Sequence, residues 1–193
     1  MRTLTVILAG AAGLALLPQR ALPQDTNAYP LQPQTRLEGF ETNAGTVIIR
    51  ATAPIGTVAA NAGELSIKCK DITDAGAGRR ESGISVEILL SGRREDLLLV
   101  DYDELDPLLN AIDYLSRLDW SVTTFPGFDA IYTTRGGLRL VAFGGRRSGA
   151  IEFAVRSVRA NWPPLVFSRD QLGQLRSLVE QAKAKLDSIR KEK

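Results

Sequence analysis

The fold of this chain is decided by residues 78–112, GRRESGISVEILLSGRREDLLLVDYDELDPLLNAI, because the same pattern returns 67 positions later. The second copy is residues 145–179, GRRSGAIEFAVRSVRANWPPLVFSRDQLGQLRSLV. Over residues 78–113 the two copies share 8 identities in 36 aligned positions. A turn, strands and a helix follow one another in the same order in both copies. The sequence therefore predicts a duplicated structural unit.

Alternating apolar residues around the repeat predict further strands. In the first half, strands are expected at residues 46–50, 58–60, 64–70, 84–90 and 95–100, with a loop at residues 73–83. In the second half, they are expected at residues 121–125, 130–134, 138–143, 151–158 and 165–167. Apolar stripes at helical spacing begin at Leu105 and Leu172 and predict one helix per half. The predicted fold is α+β: antiparallel sheets with two helices, related by internal pseudo-twofold symmetry.

Each predicted helix is preceded by a capping-box pattern. Asp101 stands three residues before Glu104, and Ser168 stands three residues before Gln171. Pro107 offers an alternative start for the first helix, with Asp106 as the cap and the proline at the first helical position.

The N-terminus predicts export. Arg2 precedes an uncharged apolar stretch, Leu4–Leu17, which is shorter than the roughly 20 residues of a membrane-spanning helix. Residues 1–21 are therefore interpreted as a signal peptide, and the cleavage point stays open between Ala21 and Ala28. Residues 22–36 are rich in Pro and Gln and predict an extended linker. Residues 37–193 are expected to form one domain, with repeat halves at about residues 45–118 and 119–190. The expected location is periplasmic or extracellular.

The composition excludes most catalytic chemistries. The chain has no histidine, which removes the usual general base, the Ser-His and Cys-His pairs and most zinc sites. Cys69 is the only cysteine and alternates with Leu65 and Ile67, so we expect it to be buried. Residues 101–106 resemble the start of a calcium loop but have Asp106 where that loop needs glycine. No cofactor, metal site or catalytic residue is expected, and a carboxylate- or lysine-dependent hydrolase is the second alternative.

The recurrent Gly-Arg-Arg sequence is the candidate binding site. It occurs at residues 78–80, 92–94 and 145–147, and the first and last copies occupy equivalent places in the repeat. Arginine binds phosphate and carboxylate groups in a bidentate manner. The candidate anion-binding residues are Arg79, Arg80, Arg146 and Arg147. The alternative interpretation is that these arginines only keep exposed turns soluble.

Charge is segregated along the chain although the net charge is only +2. Residues 95–119 contain eight acidic residues and one Arg, whereas residues 135–160 contain six Arg and one Glu. This pattern indicates either opposed faces that favour self-association or an anionic ligand, or two merely solvated surfaces.

Several segments resemble a known protein family. The run Asp101–Leu105 with Leu108 and residues 112–114, the segment Asp129–Gly136 and the segment Gln181–Leu186 resemble a family of uncharacterised exported bacterial proteins. That resemblance brings no established activity and no site residues. The order of several strands and a helix, occurring twice, also resembles the Whirly-type single-stranded nucleic-acid binders.

These observations predict an exported, non-enzymatic binding or interaction module. Its expected partner is an unknown protein or envelope component, and self-association is possible on the charge pattern. A polyanion- or nucleic-acid-binding module that uses the Gly-Arg-Arg segments is the alternative.

Overall fold

Two antiparallel sheets and three α-helices make up the computed structural model, which describes residues 34–145, 149–160 and 162–191. Each sheet has four strands in chain order. The first half contains α1 (Arg36–Glu41), β1 (Ile48–Ala59), β2 (Gly63–Asp74), β3 (Arg79–Leu90), β4 (Arg93–Asp101), a 3₁₀ turn (Tyr102–Glu104) and α2 (Leu105–Ser116). The second contains a 3₁₀ turn (Trp120–Val122), β5 (Gly127–Thr133), β6 (Leu138–Gly145), β7 (Ile151–Ser157), β8 (Leu165–Phe167) and α3 (Arg169–Lys191). The α+β class with antiparallel sheets is confirmed.

The predictions for the N-terminus fall largely outside the described residues. The predicted signal peptide, residues 1–21, and the predicted linker up to residue 33 are not among them. The last two residues assigned to the linker take part in a helix: Thr35 caps α1, and Arg36 is the first residue of α1.

The first sheet is longer and more regular than predicted. The expected loop at residues 73–83 is wrong, because β2 and β3 pair as far as Asp74 and Arg79 around a short turn that ends at Gly78, with φ of +65°. β1 runs without interruption from residue 48 to 59, since a bulge at Pro54 accommodates the proline on this edge strand. The turn between β3 and β4 is Ser91-Gly92, where φ is +51° and +75°. Two positive φ values are typical of a type I′ hairpin.

The second sheet begins later than predicted. The expected strand at residues 121–125 is wrong: residues 120–122 form a 3₁₀ turn instead. Asp119 produces this turn, because its side chain accepts a hydrogen bond from the backbone N–H of Ser121 at 2.7 Å. An acidic side chain that satisfies a nearby backbone N–H competes with strand pairing.

Both halves bury equivalent positions of the repeat. The shift of 67 residues aligns β3 with β7, β4 with β8 and α2 with α3. At six aligned positions of the repeat, both side chains are buried. The pairs are Val86 and Phe153, Ile88 and Val155, Leu98 and Leu165, Leu105 and Leu172, Leu108 and Leu175, and Ile112 and Val179. These side chains belong to one hydrophobic cluster, so the two halves share a core. Pseudo-twofold symmetry between them stays a prediction.

Only one of the two predicted capping boxes exists. The Ser168 hydroxyl accepts a hydrogen bond from the Gln171 N–H at 3.2 Å, and the Gln171 side chain accepts one from the Ser168 N–H at 2.8 Å. The box at Asp101 is wrong, as is the alternative start at Asp106, because α2 begins at Leu105 and Glu104 makes no cap hydrogen bond. Asp101 instead assists Thr35 at the start of α1: its carboxylate accepts hydrogen bonds from the backbone N–H groups of Arg36 at 2.9 Å and Leu37 at 3.1 Å.

Asp101 is also the centre of an ionic cluster between the two halves. The Asp101 side chain is fully buried and lies 3.3 Å from the guanidinium of Arg135. Arg135 belongs to the turn between β5 and β6. The same guanidinium contacts Asp103 and lies 3.2 Å from Glu104. A buried charge is tolerated only when it is paired and hydrogen-bonded, and here these contacts satisfy the requirement. The end of β4 is therefore tied both to α1 and to the second sheet.

A close backbone approach accompanies this cluster. A Cβ atom added to Gly136 would lie 1.9 Å from the carbonyl oxygen of Leu99 in β4. Glycine is therefore required at this position so that the β5–β6 turn can reach β4.

We expect Asp101→Ala to destabilise the domain by about 3 kcal/mol, because it leaves two N–H groups and Arg135 without their buried carboxylate. Asp103→Ala is the matched control, since the Asp103 side chain is 51% exposed and such ion pairs contribute about 1 kcal/mol or less. Urea unfolding at pH 7 measures both. Equal losses for the two variants would contradict a special role for Asp101.

We expect opposite effects from two glycine substitutions. Gly136→Ala should cost about 1–3 kcal/mol through overpacking against Leu99. Gly173→Ala should stabilise by about 0.5–1 kcal/mol, because this exposed position lies in α3 and its Cβ would meet no atom within 4 Å. Thermal unfolding monitored by circular dichroism measures both effects, and a stabilised Gly136→Ala variant would contradict the requirement for glycine at this position.

Candidate interaction face

The second sheet has an outer face that the described residues leave uncovered. Along β5 to β8 alternate side chains point into the core, among them Leu140, Ala142, Phe153 and Val155. The intervening residues define what we call the outer face. They are Asp129, Ile131, Thr133, Arg139, Val141, Phe143, Glu152, Ala154, Arg156 and Val166.

An apolar row crosses the outer face from one edge to the other. Strand register places Ile131 opposite Val141, Val141 opposite Ala154, and Ala154 opposite Val166. Ile131 is 53% exposed, and Val141 and Val166 are half-buried. Ile131, Val141 and Val166 pack against neither hydrophobic cluster of the described residues. Ala154, in the middle of the row, is only 5% exposed, so Ile131, Val141 and Val166 supply the apolar surface that the row presents outward.

Two charged rows flank the apolar row. On one side Asp129, Phe143 and Glu152 lie side by side on β5, β6 and β7. On the other side Thr133, Arg139 and Arg156 do so. The Arg139 guanidinium donates to the Thr133 hydroxyl at 3.2 Å. No ion pair is found for these four charged side chains within the described residues. The face is thus acidic along one border, apolar in the middle and basic along the other.

The predicted anion-binding arginines are placed differently from one another. Arg79 and Arg80 lie at the start of β3 and not in a loop. Arg79 lies 3.4 Å from Asp74 and stacks on the ring of Phe40, and Arg80 lies 2.6 Å from Asp71. Arg146 and Arg147 lie outside the described residues. The described pair is therefore already neutralised by the protein's own carboxylates, and the paired guanidinium site stays a prediction.

The acidic run at residues 101–106 serves the fold. Asp101, Asp103 and Glu104 hold Arg135, and Asp106 lies 3.6 Å from Lys183 of α3. The described residues contain no group of three or more acidic or cysteine side chains suited to a metal ion.

Cys69 is buried, as predicted. Its thiol lies 3.5 Å from the carbonyl oxygen of Ala182 in α3, and burial raises its pKa. A cavity of about 80 Å³ lies beside it, lined by apolar residues of β1 and α3 together with Lys70 and Asp71. A raised pKa disfavours the reactive thiolate.

Ionic contacts and hydrogen bonds connect α3 to α2 and to the 3₁₀ turn that precedes α2. Asp113, at a surface cavity of about 300 Å³, lies 2.6 Å from the Nε of Arg176. The hydrogen bond from Arg176 lowers the pKa of Asp113. At the other end of α3, the Tyr102 hydroxyl donates to Asp187, which lowers the pKa of that carboxyl group. A lowered pKa keeps a carboxylate ionised and suits it to an ion pair more than to general acid catalysis.

The chain matches no protein-family model, no curated protein and no solved structure. None of the described helices combines the length and the apolar character that crossing a membrane requires.

We expect stability to fall in acid. The folded-state pKa values of Asp74, Asp113 and Asp187 lie below their usual value of 3.8. Their contribution is complete above that value and is lost as pH falls through the folded-state values. Urea midpoints compared at pH 7 and pH 3 measure the loss.

Asp113→Asn is the control for this pH dependence, because it removes one of the titrating groups. The variant should be less stable at pH 7 and should lose less stability on acidification than the wild-type protein. An unchanged difference between the two pH values would contradict the assignment.

Proposed function

We propose that this protein is an exported, non-enzymatic interaction module that binds a protein partner through the outer face of the second sheet. The observation that carries the proposal is the apolar row of Ile131, Val141, Ala154 and Val166, with a charged row on each side. Interaction faces often have an apolar centre and a polar rim, because the centre supplies the hydrophobic gain and the rim orients the partner.

The properties of the ionisable groups support a non-enzymatic role. The sequence has no histidine, and the thiol of Cys69 is buried with a raised pKa. In the described part of the chain, every Asp or Glu with a resolved pKa shift has a lowered pKa: Glu38, Asp74, Asp103, Asp113, Asp119 and Asp187. A catalytic acid near neutral pH needs the opposite shift.

The electrostatic environment favours the outer face over Arg79 and Arg80 of the first Gly-Arg-Arg segment. A phosphate group that approached Arg79 and Arg80 would compete with Asp74 and Asp71, which already contact them. The charged side chains of the outer face have no such competitor among the described residues.

Export is the part of the proposal that depends on the sequence alone. The basic residue at position 2, the apolar stretch Leu4–Leu17 and the following Pro- and Gln-rich segment support it. Fractionation of the producing cells tests it, and recovery of the full-length chain from the cytoplasm would count against it.

Site-specific photo-crosslinking in the producing cells tests the face itself. A photoreactive amino acid replaces Ile131 in one strain and Gln174, an exposed position on α3, in a control strain. We expect a discrete adduct from position 131 and none from position 174. Crosslinking at 131 that does not exceed the control would overturn the proposed face.

A further inference from the structure

We propose that the partner of the outer face is a second copy of this chain, bound face to face about a twofold axis that runs along the apolar row. This inference rests on the proposed function, because it specifies the occupant of the same surface.

The charged rows are complementary to each other. Asp129 and Glu152 border the apolar row on one side, and Arg139 and Arg156 border it on the other. Residues two positions apart in a strand are separated by about 7 Å, so each charged row lies at that distance from the apolar row. A surface with both signs at equal distances from an apolar centre is suited to bind its own copy.

Two twofold axes in the plane of the interface lay the apolar row of one copy on that of the other, and charge selects one of them. An axis parallel to the strands would place acidic row on acidic row and basic row on basic row. An axis along the apolar row exchanges the two sides, so that the acidic border of each copy lies on the basic border of the other. Glu152 then faces Arg156 of the second copy directly, and Asp129 lies one strand away from Arg139 of the second copy. The apolar row then lies on itself, with Ile131 close to Ile131 of the second copy.

The position of the two arginines supports an external partner. Arg139 and Arg156 are directly opposite each other on neighbouring strands, an arrangement that destabilises a sheet when nothing neutralises it. Among the described residues neither of them forms an ion pair. A facing row of carboxylates supplies the missing charge, and guanidinium groups bind carboxylates in a bidentate manner.

The size of the face predicts a weak dimer. Three strands of five residues and the three-residue β8, about 4.8 Å apart, give about 300 Å² for each copy. Stable interfaces bury about 800 Å² per partner, so this surface belongs to the weak, transient class. We therefore expect association that depends on concentration and is detectable below about 1 mM.

Charge reversal provides the test, with the protein as purified from the producing cells. One variant carries Asp129→Arg and Glu152→Arg, which makes both borders basic, and another carries Arg139→Glu and Arg156→Glu, which makes both acidic. Analytical ultracentrifugation at low salt should show a concentration-dependent dimer for the wild-type protein and monomers for each variant alone. An equimolar mixture of the two variants should form a one-to-one heterodimer. Circular dichroism confirms folding, and the single substitutions Asp129→Arg and Arg139→Glu serve if a double variant does not fold.

The combined variant with all four reversals tests the axis. In this variant the acidic and basic borders have changed places. With the proposed axis they are still complementary in a pair of variants, so the variant should dimerise with itself. Against the wild-type protein each border would meet one of like charge, so a mixed dimer should not form. Dimers between the combined variant and the wild-type protein would overturn the axis.

The outcomes separate this inference from the proposed function. A wild-type protein that stays monomeric at about 1 mM, or variants that fail to associate when mixed, would overturn the second copy as partner. If the residue-131 probe nevertheless crosslinks in cells to a different protein, the interaction face stands and only its occupant is wrong. An adduct of twice the chain mass from the same probe supports both.

Discussion

The buried carboxylate of Asp101 is the contact on which the rest of this architecture depends. It lies at the end of β4, satisfies the first backbone N–H groups of α1 and holds the guanidinium of Arg135 in the second sheet. One side chain thus fixes the position of the N-terminal helix and the junction of the two halves. The orientation of the second sheet, and with it the direction in which its outer face points, follows from this junction and from the shared core.

Much of the fold could be predicted because its signals are local. The apolar stripes of α2 and α3 and the Ser168 capping box depend on residues within a few positions of each other. The role of Asp101 could not be predicted in this way, because its partners Arg36 and Leu37 lie 65 and 64 positions away. The same limit applies to β1, where Pro54 interrupts the apparent pattern but is accommodated by a bulge at the sheet edge.

The candidate face was beyond the reach of sequence analysis for a related reason. Ile131, Val141, Ala154 and Val166 belong to four different strands, and only the strand register brings them into one row. Sequence alternation divides each strand into two sets of residues, but it does not show which set faces the core. The charge excess at residues 135–160 was visible in the sequence. Only the arrangement of the strands shows that Arg139 and Arg156 form one border of the apolar row, and that Glu152 joins Asp129 on the other.

The short strand β8 lies at one edge of the second sheet, and Asn61 from the β1–β2 turn covers its middle residue. The Asn61 backbone N–H donates to the Val166 carbonyl at 3.2 Å, and the Asn61 side-chain oxygen accepts from the Val166 N–H at 2.8 Å. The outward hydrogen-bonding groups of that residue are therefore already occupied. Strand addition at this edge is blocked, so the sheet is protected there against amyloid-like growth, in which each new chain extends the one before it.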